Sequence, residues 1–263
     1  MTTRQGGVSM APWDSLNVGD HVGDDPNHVA ANRRLVAQTL GAQPVYVKQV
    51  HGVNGLALPF QSKGLDTDHS KTSLVSGSAI VHEADLTWTT QPGLACAMMV
   101  ADCLPLLVCH RHTPWVAAVH AGWRGLAGRE GQGVIESLRQ VVQQQGLIPQ
   151  DCLVWLGPCI GPTAFEVGAE VVSALSWGLP AHNPFFESLA KKGQFMADLA
   201  GVARYRLKAV GFDRLYGNDS SLPWCTYRQE TLYHSHRRDT SRKGGAGRMA
   251  AFIWVAGDAL ARP

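Results

Sequence analysis

The chain has 263 residues, of which 45% are hydrophobic and 17% charged, enough apolar material for a real core and too little charge for a disordered or solvating chain. Lys and Arg number 23 against 21 Asp and Glu, so there is no basic stripe to neutralise a phosphate polymer, and nucleic acid is not an expected partner. Apolar stretches such as Leu94 to Val100 fall far short of the ~20 residues of a membrane helix.

The N-terminal segment MTTRQGGVSMAPWD has no apolar secretory core, which makes the cytoplasm the expected location. Asn17 to Asp24 reads as a polar glycine loop, followed by Asp25 as helix cap, Pro26 at the first helical position and a helix closing at Gly41. Pro44 to Val50 alternates as a strand and ends on His51-Gly52. Leu56 to Ala84 is polar and aperiodic, a loop with one short strand near Ala79 to Val81. Strands are expected at Asp85 to Trp88, Leu94 to Val100, Leu106 to Cys109 and Trp115 to His120. Ala121-Gly122-Trp123-Arg124-Gly125 then forms a glycine loop leading into a helix that runs to Gly146. Leu153 to Leu156 is another strand, Met196 to Val210 a helix, the stretch through Ser221 a linker, and Ala250 to Val255 the last strand. With no internal repeat and no linker-like boundary, one domain of mixed α and β over 1–263 is the economical reading.

Chemistry-bearing side chains cluster at strand ends and turns. His51, Cys103 and His120 are 52 and 17 residues apart, and two imidazoles with a thiolate form a zinc-type set with an open fourth position. Each has a plainer reading as core or surface filler, and the same residues also support a metal-free nucleophile, Cys103, with His120 as base. Arg124 sits where backbone N–H groups and a guanidinium would hold phosphate or carboxylate, or it pairs with an acidic neighbour. Asn17, Asp20 and His21 either bind a ribose or satisfy their own loop. Asp102 is a candidate general acid/base or an orienter of Cys103. Trp88, Trp115 and Trp155 read as core. The basic run Ser235-His236-Arg237-Arg238 with Lys243 and Arg248 reads as a solvated face that offers a second anion contact. The six cysteines contain no CxxC pair and read as reduced thiols.

The segments NVGDHVGDDP, KQVHG, ADCLPLL, VHAGWRG, WLGPCIGPTAFEVG and the late CTY, SHRRD and GRMAAFIW closely resemble the YfiH family. It is also called the laccase-domain or DUF152 family and, in newer usage, purine nucleoside phosphorylases. The resemblance runs from about Asn17 to Trp254. It implies an α+β fold in four layers, α/β/β/α with mixed sheets, shared distantly with a deamidating bacterial toxin. It also implies a His-Cys-His metal triad, which by motif falls on His51, Cys103 and His120. The late motif, often SYRRD, here reads Ser235-His236-Arg237-Arg238-Asp239, so no aromatic hydroxyl is available at that position.

The family is described with several activities. They are phosphorolysis of adenosine, inosine, guanosine and methylthioadenosine, adenosine deamination, copper-dependent phenol oxidation, and removal of a misplaced L-serine from a UDP-MurNAc precursor. Multicopper oxidation needs several His-x-His pairs, and only His110/His112 and His234/His236 occur, so the oxidase ranks low. The expectation is a zinc enzyme, with copper as the other metal, acting on a purine nucleoside with phosphate. A cell-wall precursor editor and a non-catalytic metal-binding protein are the other readings. The expected catalytic set is His51, Cys103 and His120, and the expected substrate or phosphate contacts are Arg124, Asn17 and His21.

Overall fold

The computed structural model describes residues 1–59 and 82–257; the short strand expected near Ala79 to Val81 lies outside them. Helix α1 (Pro26–Leu40) begins at its Asp25 cap, whose carboxylate accepts the Asn27 N–H, and ends at Gly41 in the left-handed region at φ 62°. Strands β1 (Gln43–Val45), β2 (Gly55–Ala57), β3 (Leu86–Thr89), β4 (Leu94–Val100), β5 (Leu104–His110) and β6 (Val116–Ala121) follow, then helices α2 (Trp123–Ala127) and α3 (Val134–Gln144). The second half adds β7 (Cys152–Leu156), β8 (Glu166–Gly168), α4 (Ala169–Leu175), β9 (Phe186–Ser188), β10 (Gln194–Ala197), α5 (Leu199–Ala209), β11 (Arg214–Gly217), α6 (His236–Lys243) and β12 (Met249–Trp254).

A six-stranded sheet runs β11-β7-β5-β6-β3-β2, antiparallel in its middle and parallel at both edges. A three-stranded sheet, β1-β4-β12, pairs β1 parallel and β12 antiparallel to β4. A second three-stranded sheet, β8-β10-β9, is antiparallel throughout. Alternation along the strands sorts the side chains into layers. Ala97 and Met99 of β4 pack with Val36 of α1, while Cys96 and Met98 face Ala118 of β6 between the sheets. Leu104, Leu106, Ala117 and Val119 turn the other way, onto Ile135 and Leu138 of α3 and Val202 of α5. The order is therefore helix, sheet, sheet, helix, as the resemblance implied.

Several boundaries differ from the sequence reading. The strand expected over Pro44 to Val50 is only Gln43–Val45, because the chain turns at His51 (φ 59°) and gives the N–H groups of Val50, His51 and Gly52 to the Asp85 carboxylate instead of a neighbouring strand. β5 starts two residues early, and Pro105 near its start still accepts the Gly157 N–H at 2.9 Å through its carbonyl, although it has no N–H to give the ladder. The helix expected from Met196 begins at Leu199, since Met196 and Ala197 belong to β10 and Asp198 caps α5. The linker through Ser221 contains β11, and the basic run forms α6, capped by Ser235.

Candidate active site

Three chain reversals meet at one place. Ala101 to Cys103 carries the chain from β4 in the small sheet to β5 in the large one. His120, the penultimate residue of β6, lies on the same strand face as Ala118, between the sheets, and is 3% exposed. His51 occupies the turn before β2. Cys103 Sγ lies 3.6 Å from His51 Nε2, and the rings of His51 and His120 are 4.7 Å apart at 69°. One ligand atom from each of His51, Cys103 and His120 lies within 4.8 Å of the others. Gly122 permits this approach, for a Cβ there would meet His51 Cδ2 at 2.8 Å and Cys103 Sγ at 3.1 Å.

Asp85, fully buried at the start of β3, organises the cluster. One carboxylate oxygen lies 2.7 Å from His120 Nδ1 and also accepts the His51 N–H at 3.0 Å; the other accepts the Gly52 N–H at 2.7 Å and the Val50 N–H at 3.2 Å. One carboxylate thus shapes the His51 turn and directs His120 Nε2 towards Cys103. Burial raises the Asp85 carboxyl, but the hydrogen bond and charge of His120 and the backbone donors outweigh it and leave it below its ordinary range. Burial also pushes the Cys103 thiol up, yet His120 and His51 overcome that and bring it down to about 6. His120, which burial alone would lower, is raised to about 9 by Cys103 and Asp85. Two imidazoles and a thiol held this closely form a group that could hold a metal ion. Among the described residues no second group of three ligands is gathered in this way.

The cluster borders a cavity of about 320 Å³ whose lining includes Met99, Ile160, Phe165, Leu199, His21, Arg124, His236, Arg237 and Arg248. Arg124 stands inside α2 rather than in a loop and stacks over Trp123 at 4.3 Å. Among the described residues it has no acidic partner. His21 also reaches the cavity, 3.5 Å from the Asp20 carboxylate. Asn17 is fully buried and its amide is spent within the protein, donating to Gly19 O and Asp24 and accepting the N–H groups of Gly19 and Arg248. Its role is to build the loop. Asp102, in the left-handed region at φ 85°, accepts from the Thr226 hydroxyl (2.6 Å), the Ser235 hydroxyl (2.9 Å) and the Arg237 N–H (2.7 Å), so its carboxylate braces α6 rather than facing a reactant.

The solvated-face reading of the basic run holds for the exposed His236, Arg237 and Lys243 and is corrected for Ser235 and Arg238, which are buried, and for the half-buried Arg248. Arg238 is 1% exposed, paired with Asp239 and hydrogen-bonded to the carbonyls of Thr226, Tyr227 and Tyr233, while His236, Arg237 and Arg248 line the cavity. Asp85 and Gln49 escaped sequence reasoning. The Gln49 amide clasps both the N–H and the C=O of Met99, tying the His51 segment to β4. The available signal for Asp85 was a carboxylate opening an otherwise buried strand.

The chain is similar to known proteins over nearly its whole length. The family described as multi-copper polyphenol oxidoreductase laccase matches residues 1–256. A purine nucleoside phosphorylase of Pseudomonas aeruginosa is 41% identical over 255 residues, covering 97% of this chain and 92% of the relative. The purine nucleoside phosphorylase YfiH of Escherichia coli is 41% identical over 260 residues, covering 97% and 92%. Among solved structures, YlmD of Geobacillus stearothermophilus superimposes with a TM-score of 0.81 at 33% identity, covering 97% of this chain and 90% of that one. A DUF152 protein of Neisseria meningitidis does so with a TM-score of 0.79 at 36% identity, covering 98% and 93%.

Proposed function

The chain belongs to the multi-copper polyphenol oxidoreductase laccase family, and from that premise we propose that it is a cytoplasmic, metal-dependent purine nucleoside phosphorylase. Its substrates on this reading are adenosine, inosine, guanosine and methylthioadenosine, and it also deaminates adenosine. The observation that carries this is the His51, Cys103 and His120 set opening on the same cavity as Arg124, a cation without an acidic partner among the described residues. His51, Cys103 and His120 would hold zinc, or copper in its place. Held there, such an ion would supply Lewis acidity.

In phosphorolysis an oxygen of phosphate forms a bond to the ribose C1′ as the bond to the purine nitrogen breaks; the electron pair leaves on the purine, which takes up a proton. Arg124 offers a planar fork of donors to the attacking anion. Met99, Ile160, Phe165 and Leu199 provide apolar wall for a base and exclude water. Asp85 holds the His120 ring in one orientation, so the cluster is pre-formed before substrate arrives. A laccase would need further copper ligands, and the described residues gather one such group.

The test is turnover by metal-quantified wild type and Cys103→Ala, with adenosine plus phosphate in one arm and a serine-bearing UDP-MurNAc precursor in the other. The expected products are adenine and ribose 1-phosphate, with inosine from deamination, all falling more than about 100-fold in the variant. No nucleoside turnover by the wild type overturns the reading. Serine release would identify the second reading, an amidase-type editor, which the 2.7 Å Asp85–His120 contact beside Cys103 favours as an orienter, base and thiol.

A further inference from the structure

Arg248 is a half-buried cation of the cavity lining that feels the charges of Cys103 and Asp102 but makes no direct ion pair with either. No carboxylate among the described residues lies within 4.0 Å of its guanidinium, and both of its side-chain hydrogen bonds, to Ala246 O (2.9 Å) and Gly247 O (3.2 Å), leave from Nη1. Nε and Nη2 therefore remain available. Asp102, the one carboxylate lining the cavity, already accepts three donors. Arg237, beside it in the lining, donates to the Glu166 carbonyl at 3.0 Å and likewise has no carboxylate partner among the described residues. Arg237 is exposed, so the cost of taking guanidinium out of water falls on Arg248, and an anion held by its free donors would offset that cost.

The position of Arg248 is also set in advance. Its N–H donates to Asn17 Oδ1 at 2.8 Å, and its carbonyl accepts the Val18 N–H at 3.1 Å. Its stem lies so close over Gly19 that a Cβ there would meet Arg248 Cγ at 2.7 Å and Cβ at 3.0 Å. A buried amide, 231 residues away in the chain, and a bare glycine two residues after it thus fix the direction of one arginine stem. We propose that Arg248, seconded by Arg237, forms a phosphoryl-binding subsite of this cavity, with Asn17 and Gly19 as the positioning residues that aim it. The subsite rests on the phosphorolytic reading for its role in turnover. A tetrahedral oxyanion matches the rigid fork of Arg, which holds two oxygens at once, and a Lys in its place offers a single point of charge.

The test is calorimetric binding to intact zinc-loaded protein without turnover, with inorganic phosphate in one arm and adenosine 5′-phosphate in the other, alongside the KM for phosphate with inosine. Arg248→Met weakens phosphate binding and raises its KM about 10- to 100-fold, with the KM for inosine little changed. Arg248→Lys recovers part of the loss, and Gly19→Ala, which keeps the charge but displaces the stem, reproduces much of it. Melting and zinc content confirm folding, and Arg248→Lys and Gly19→Ala carry the test if Arg248→Met does not fold. Weakening in the phosphate arm identifies free phosphate as the ligand, and weakening only in the adenosine 5′-phosphate arm identifies a phosphate ester. Unchanged binding in both arms overturns the proposal. Phosphate bound through Arg248 without nucleoside turnover would sink the phosphorolytic reading alone, whereas turnover by Arg248→Met with an unchanged phosphate KM and unchanged binding in both arms would sink the subsite alone.

Discussion

His234 is fully buried, its ring nitrogens find at best a weak partner in the Leu16 backbone, and Gly247 lies against its ring. Burial, reinforced by the positive charge of Arg4, lowers its pKa from 6.5 to about 3. Between those values the unfolded chain binds a proton that the folded chain refuses. The contribution of His234 to stability is therefore complete above about 6.5 and is lost as pH falls towards about 3. From about pH 7 to about pH 5 this amounts to about 2 kcal/mol. Urea titrations of wild type and His234→Phe across that range should show the wild type losing about that much more than the variant; parallel losses would contradict a neutral buried imidazole. Asp85 was harder to read at this scale. Its partners are the turn at residues 50–52 and His120, 35 positions further on, and nothing adjacent in the chain announces either.

Helix α6 shows how an element can escape a hydropathy reading. Its buried positions are Arg238 and Asp239, which satisfy one another and the surrounding carbonyls, so the helix has a buried side without an apolar stripe. Its start is fixed twice: Ser235 caps the Arg238 N–H, and Asp102 accepts the Ser235 hydroxyl and the Arg237 N–H. The crossover between the sheets that carries Cys103 is in this way bolted to the helix that carries His236 and Arg237. Asp102→Ala leaves those donors unpaired and strains a residue at φ 85°, an expected loss of about 2–4 kcal/mol. Asp102→Asn, which tolerates that backbone region, should lose less. Equal urea midpoints for wild type and Asp102→Ala would remove Asp102 from this role.

Across the whole molecule, the metal would bind a cluster assembled from three segments that only the folded chain brings together, so binding stabilises the fold by mass action. At zinc 100-fold above its Kd the gain is about 2.7 kcal/mol. Thermal melts should rise with zinc for the wild type and stay flat for Cys103→Ala. Asp85→Asn should need about 10- to 100-fold more zinc for the same rise, because it disturbs the orientation of His120 without removing a ligand; an unshifted zinc dependence would deny Asp85 that part. What the sequence by itself determined was local: the Asp25 cap, Pro26 and Gly41 of α1, the alternating apolar faces of β4 to β6, and three chemistry-bearing side chains at element ends. These are legible because capping, turn chemistry and strand period act over a few residues. Only the tertiary structure decided that Gly122 gives His51 room beside Cys103, that Asp85 joins two of the three segments, and that Arg248 is aimed by Asn17. Those outcomes depend on close approaches and on burial of charge between distant segments, and such energies exist only once the two sheets have packed.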